Sequence, residues 1–201
     1  MTVTAACITW LVFEGLWLVL RWQPNRHARK TPVRYSGRGL RELVLMGASL
    51  TGLGIVPLYY AASHLLHAGT RVLTFADYPI VPVLGYLGAA AAAASLWLFY
   101  RTHRDLGQNW SVSLDLRERH TLVTTGIYAA VRHPMYAGFW LMALAQVLLL
   151  PNWIAGPAGL IGFGILFFGR VGREEEMMIA AFGDEYRGYM RRTARVVPWL
   201  Y

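Results

Sequence analysis

Arg132, His133 and Tyr136 stand within five residues of one another in GIYAAVRHPMYAG, residues 126–138, and after Arg132 the chain carries no Asp, Glu, Lys or Arg for thirty-seven residues, from His133 to Gly169. Charge returns as Arg170, Arg173 and the triplet Glu174, Glu175 and Glu176. Pro134 suits the first turn of a helix, where a missing N–H costs nothing. His133 therefore falls at an N-cap, beside exposed backbone donors and the positive helix end, a corner that favours an anion. Arg170 and Glu174 are four apart and share a helical face, while Glu175 points about 100° away from Glu174. That second corner offers both signs of charge.

The elements that must position these groups follow from the length of the uncharged run. A hydrocarbon core about 30 Å thick takes roughly 20 apolar residues at the helical rise, so thirty-seven residues are too many for one crossing and enough for two. Pro151, Asn152 and Gly156 supply a turn, which predicts a tight hairpin of short helices over 134–150 and 153–169. With the turn on the far side, 132–136 and 170–175 must meet at one interface. A zwitterionic ligand with a flat aromatic part would suit that meeting place.

Two further uncharged runs, Leu43 to Thr70 and Tyr78 to Tyr100, precede the hairpin, and the first twenty residues carry only Glu14. With 56% hydrophobic residues, 15% charged residues and a mean hydropathy of +0.37, the chain is expected to be an all-α integral membrane protein of about five transmembrane helices. Residues 1–100 would hold three spans; residues 101–201 would form a C-terminal region with the hairpin, a tail helix and a cytoplasmic cofactor pocket. A cleaved signal peptide is not expected, because the basic residues follow the first apolar run instead of preceding it.

The net charge of +8 does not point to nucleic acid, because eighteen of the nineteen Lys and Arg residues sort to one side of the predicted spans and only Arg71 falls on the other. The positive-inside bias puts the C-terminus in the cytoplasm, and anionic headgroups on that face account for the basicity. Compact loops point to a bacterial inner membrane. No metal site is expected: Cys7 is the only cysteine, and His64 and His67, at helical spacing, have no carboxylate at matching spacing. Oligomeric state is left open.

The extramembrane sequence concentrates in two blocks flanking the hairpin, 101–133 and 170–201, and Gly126 marks a backbone kink before Tyr128 in the first. The second is expected to continue the last span as a helix, with Phe182, Tyr186 and Tyr189 on an apolar face and a local break at Gly183. Each residue also has a plainer reading. Arg132 and His133 are placed to reach lipid headgroups, Glu174 to Glu176 would suit a solvated helix face, Arg170 and Glu174 an ordinary surface ion pair, and Tyr128 and Tyr136 an interfacial aromatic belt. Glu14 reads as an interhelical hydrogen-bonding group or a polar pathway. Their convergence at one interface favours a site.

HTLVTTGIYAAVRHPMYAG, followed after one hairpin by REEEMMIAAFGDEYRGYMRR, resembles the isoprenylcysteine carboxyl methyltransferase family and its wider relatives among membrane phospholipid methyltransferases. The resemblance covers about residues 101–198, and LGQNWS at 106–111 and Pro198 extend it. It implies an enzyme that uses S-adenosyl-L-methionine and takes a lipophilic small-molecule or lipidated substrate from the bilayer. It further implies that His120, Thr121, Leu122, Val123 and Tyr128 line the cofactor pocket, that His133 and Tyr136 continue it, and that Glu174 binds the cofactor, with Glu175 completing the acidic pair. Arg170 would face the substrate, and His133 is a second candidate for a catalytic role.

A methyl transferred from a sulfonium needs alignment and exclusion of water more than acid–base chemistry. A prenylcysteine-type carboxylate, a phospholipid amine and a small thiol all remain open as acceptors. A membrane reductase using NADPH, with a sterol-reductase-like C-terminal architecture, is the alternative from another class; five spans without an evident repeat argue against a transporter.

Overall fold

The computed structural model describes the backbone of residues 1–28, 33–36, 39–66, 72–107, 115–117 and 121–198, with side chains for 1–22, 39–66, 72–107 and 121–198. Its helices are α1 (Val3–Ala28), α2 (Leu40–Leu50), α3 (Val56–Leu66), α4 (Pro82–Leu106), α5 (Pro134–Leu149) and α6 (Ala158–Met190). A π-helical turn, Thr51–Ile55, joins α2 to α3 in one unbroken element. Among the described residues, three stretches are long and apolar enough to cross a membrane, Val3–Trp22, Leu40–Leu66 and Pro82–Leu106. The protein is thus an all-α membrane protein, and α5 is a shorter apolar helix of about 24 Å at the helical rise. Large apolar side chains such as Val19, Leu43 and Phe168, each about 70% exposed, face outward from the bundle as lipid-facing residues do.

The hairpin forms, with its second helix starting at Ala158 instead of residue 153. Asn152 explains the delay. Its Oδ1 accepts from the backbone N–H of Ile154 (2.9 Å) and Ala155 (2.8 Å), and its Nδ2 donates to the Leu73 carbonyl (2.7 Å) and to Asp77 Oδ1 (2.8 Å). The turn is thereby tied to the preceding loop on the same side of the bundle, where Asp77 also meets His64 at 3.3 Å. His67 and Arg71 lie outside the described residues. At the opposite end a two-stranded antiparallel ribbon, β1 (Val33–Ser36) with β2 (Asp115–Arg117), joins the other two long connections.

The two halves of the chain share one packed bundle, because α4 continues through residue 100 to Leu106 and lies along α5. Ser95 Oγ donates to the Gly138 carbonyl at 2.8 Å, and the Phe99 ring rests against Gly138. The π turn crosses α6 at close range: a β-carbon on Gly52 or Gly162 would run into the carbonyl oxygens of Ala158 and Ala48. Pro57 has no N–H to return to that turn, and Gln146 of α5, fully buried, donates to the Gly52 carbonyl at 3.1 Å instead. Rings interlock α5 with α6, with Phe139 and Trp140 each 5.1 Å from Phe163 and Tyr136 5.5 Å from Phe167. Glu14 faces the bundle interior beside Trp10, Ser95 and Met142, and among the described residues its Oε1 has no hydrogen-bond partner.

Candidate functional site

Because the hairpin closes at Asn152, its open ends meet as expected, and α6 runs on past the bundle to Met190. The tail helix bends at Gly183, whose φ of 56° is outside the helical range. Beyond it the chain doubles back: Arg132 N–H donates to the Ala194 carbonyl (2.9 Å) and His133 N–H to the Arg195 carbonyl (3.0 Å). Tyr189, buried, donates its hydroxyl to the Tyr128 carbonyl at 2.6 Å. The start of α5 is therefore clasped between the tail and the segment before it.

That preceding segment owes its shape to Asp105 at the end of α4. Its Oδ2 accepts the Ile127 N–H at 2.8 Å, which starts a short 3₁₀ helix, Gly126–Ala129. Gly126 adopts φ 63°, and a β-carbon there would collide with the Asp105 carboxylate, so the residue type is dictated twice. The turn sets Tyr128, 8% exposed, against the bundle. Burial, then the charges of Glu174, Tyr189 and Asp105, raise the Tyr128 phenol far above its ordinary value, so it stays a neutral hydroxyl. Leu122 and Val123 are half-buried on the approach to this turn and Thr121 is exposed; His120 lies outside the described residues.

His133 caps α5 with φ −124° and ψ 61°, and its ring, 7% exposed, lies between the two glutamates. Nε2 is 3.3 Å from Glu175 Oε1 and Nδ1 is 3.9 Å from Glu174 Oε1. The ring is stacked on that of Tyr136 at 5.4 Å and 20°. Tyr136 in turn donates its hydroxyl to Glu174 Oε2 at 2.5 Å. Glu174 keeps 29% of its side chain accessible, against 6% for Glu175. Of the two acids, Glu174 is the one a ligand can reach.

Glu175 is enclosed by cations. Arg132 Nε donates to its Oε1 at 3.1 Å, Arg195 Nε to the same oxygen at 3.2 Å, and Arg195 Nη2 to Oε2 at 2.6 Å. Burial alone would raise this carboxyl. Hydrogen bonds from His133 and Arg195, the charge of His133 and the hydrogen bond from Arg132 outweigh it and hold the group at about 2. Arg132 also donates to the carbonyls of Met190 and Thr193, so it is a buried brace and not a headgroup-seeking side chain. Arg195 left no signal in the sequence, since a tail arginine can fold back to any of several acids.

Arg170, 12% exposed, is not a surface pair with Glu174: its Nε is 3.8 Å from Glu174 Oε2, and its Nη1 is 2.9 Å from Glu42 Oε1 at the start of α2. These are charge pairs by distance, without the alignment of a hydrogen bond. Glu42 went unread in the motifs, although it is the only Asp or Glu between Glu14 and Asp77. Arg170, Glu174, Tyr136 and His133 thus form one contiguous polar wall where the two ends of the hairpin meet. An accessible carboxylate, a buried phenol, a fixed imidazole and the N-terminal turn of a helix can together hold a zwitterion.

Comparison with known proteins bears on the same region. Residues 87–180 match the Isoprenylcysteine carboxyl methyltransferase (ICMT) family. The chain is 36% identical over 96 residues to the protein-S-isoprenylcysteine O-methyltransferase of Schizosaccharomyces pombe, covering 47% of this chain and 41% of that protein. It is 34% identical over 92 residues to the Homo sapiens protein of the same name, covering 46% and 32%, and 32% identical over 89 residues to protein-S-isoprenylcysteine O-methyltransferase B of Arabidopsis thaliana, covering 44% and 45%. In each case the similarity spans less than half of the relative's length.

Proposed function

We propose that this chain, whose residues 87–180 match the isoprenylcysteine carboxyl methyltransferase family, is a membrane-embedded methyltransferase that uses S-adenosyl-L-methionine and methylates a prenylcysteine-type carboxylate. The observation that carries the reading is Glu174, an accessible carboxylate held by the Tyr136 hydroxyl and facing His133 across the hairpin. The similarity to proteins named for this reaction supports the acceptor class. The C-terminus lies in the cytoplasm of a bacterial inner membrane on this reading, as the basic loops and their compactness indicate.

The residues present suit the cofactor. Glu174 matches an ammonium, the first turn of α5 beside His133 matches a carboxylate, and Leu122 and Val123 offer half-buried apolar edges to a flat ring. Thr121, Tyr128 and Tyr136 complete the lining, and His120 is assigned to it from the sequence. Glu175, with its oxygens engaged by Arg132, His133 and Arg195, belongs to the wall through His133.

Once bound, S-adenosyl-L-methionine supplies a methyl group already activated on a sulfonium. The chain's own contribution is geometric. Glu174 and the α5 turn fix the two charged ends of the amino acid moiety, and the buried rings of Tyr128 and Tyr136 exclude water. Arg170 orients an anionic acceptor toward the transferred carbon; alignment of this kind is worth several orders of magnitude in rate. A carboxylate has no proton to lose when it becomes a methyl ester, so no general base is required. An amine or thiol would release one, and His133 or a Glu would be the candidate to receive it.

Titration calorimetry of the purified protein in detergent with S-adenosylhomocysteine and with NADPH in turn tests the reading. Binding of the first alone is expected. Binding of NADPH alone would transfer the site to reductase chemistry.

A further inference from the structure

Glu42 stands outside both sequence motifs and outside the segment that matches the family, yet it meets the guanidinium assigned to the acceptor. We infer that Glu42 is a positioning residue for Arg170, through which the N-terminal half of the chain sets the acceptor side of the site. The inference rests on the methyltransferase reading and deepens it.

The path from sequence to this contact runs through close packing. Leu45 sits on α2 one turn after Glu42 and packs so tightly on Gly169 that a β-carbon there would lie 2.7 Å from its Cδ2. Residues three apart on a helix share a face, so the contact that seats Leu45 on Gly169 carries Glu42 to the neighbouring Arg170. The crossing of Gly52 and Gly162 further along the same two helices leaves little freedom to slide. The pair is 2.9 Å apart with side chains 12% and 11% exposed. Holding an arginine stem and a carboxylate there by packing is not the behaviour of a surface ion pair, in which solvent and side-chain entropy consume the gain.

The arrangement then alternates in charge and role. Glu42 faces Nη1 of Arg170, Nε of Arg170 faces Glu174, and Glu174 takes the Tyr136 hydroxyl. A guanidinium is a rigid planar fork, so a carboxylate packed beside one of its nitrogens draws that edge toward itself and biases where the other donors point. Glu174 sits on the cofactor side of Arg170 and Glu42 on the other. Loss of the Glu42 charge would therefore shift the balance on Arg170 toward Glu174 while leaving the Glu174–Tyr136–His133 wall intact. Acceptor binding should suffer and cofactor binding should not.

The test compares the wild-type chain with Glu42→Gln and Glu42→Asp in detergent, measuring S-adenosylhomocysteine affinity by calorimetry and methyl transfer from labelled donor to N-acetyl-S-farnesylcysteine as the carboxylate probe. For Glu42→Gln the KM for the probe is expected to rise about tenfold, with kcat and S-adenosylhomocysteine affinity within about twofold of wild type, and Glu42→Asp should recover much of the loss. An unchanged KM overturns the inference, as does a fall in kcat alone, which reports fewer folded molecules. Equal loss of cofactor affinity makes Glu42 structural and overturns it too. A wild type that binds S-adenosylhomocysteine but leaves the probe unmethylated removes the carboxylate acceptor, and with it this role. Failure of the wild type to bind S-adenosylhomocysteine overturns the methyltransferase reading itself.

Discussion

Tyr136 and Glu174 come from opposite arms of a helical hairpin, thirty-eight residues apart in sequence, and are joined by a 2.5 Å hydrogen bond in which the phenol donates to Oε2. The bond leaves the other oxygen of Glu174 toward His133, at 3.9 Å from Nδ1. It holds the accessible glutamate at the open end of the hairpin, beside the His133 ring.

Glu174→Ala is expected to abolish S-adenosylhomocysteine binding, a loss of at least about a hundredfold in affinity, since a charge-assisted contact to an ammonium is among the strong ones. The protein should still fold, as Glu174 is part-accessible and its partner Tyr136 is held independently by the Phe163 and Phe167 rings. Calorimetry with a parallel thermal melt decides it; unchanged affinity would take Glu174 out of the site.

Arg170→Ala should behave differently. Cofactor affinity is expected to stay within a few-fold of wild type while transfer to a carboxylate acceptor falls by about a hundredfold or more, because the orientation of the nucleophile is lost. If cofactor affinity collapses as in Glu174→Ala, the two residues do not divide the labour.

The Glu175 network predicts a pH dependence of stability. Its carboxyl is held at about 2 against an ordinary 4.5. A depressed carboxylate contributes stability that is present in full above the unfolded value and lost as pH falls through the folded one. The stability gap between wild type and Glu175→Gln should therefore be constant near neutrality and close between about pH 4.5 and 2, as followed by melting temperature in detergent. A gap that persists at low pH would mean that Glu175 acts by shape and not by charge.

Asn152→Ala is expected to destabilise the fold by about 2–3 kcal/mol, since it removes the one oxygen that accepts from both the Ile154 and Ala155 N–H groups and both donor contacts to Leu73 and Asp77. S-adenosylhomocysteine affinity should change little once the protein is folded, because the turn lies at the far end of the hairpin. Denaturant titration and calorimetry on the same sample would separate the two effects.

Much of the fold was legible because lipid imposes a simple rule: uncharged runs become spans, so the apolar stretches and the hairpin could be read from where charge stops and resumes. The kink at Gly126 and the break at Gly183 were legible as well, and the positive φ at both sites gives the reason. The start of α6 was displaced from 153 to 158 because Asn152 organises its own turn by side-chain hydrogen bonds, a contact to residues some 75 positions away that no local pattern encodes.

By itself the sequence determined that this is a helical membrane protein and that its polar motifs must meet at one end of a hairpin, since periodicity and the absence of charge act locally along the chain. Tertiary structure decided how the acids are used. Glu174 and Glu175 are neighbours of one type, and only the folding back of Arg195 and the inward reach of Arg132 bury the second and leave the first accessible. It also decided that Arg170 answers to Glu42. Pairings of charge across helices depend on how closely the backbones approach, which the small residues at the α2–α6 crossing permit and which only the packed bundle realises.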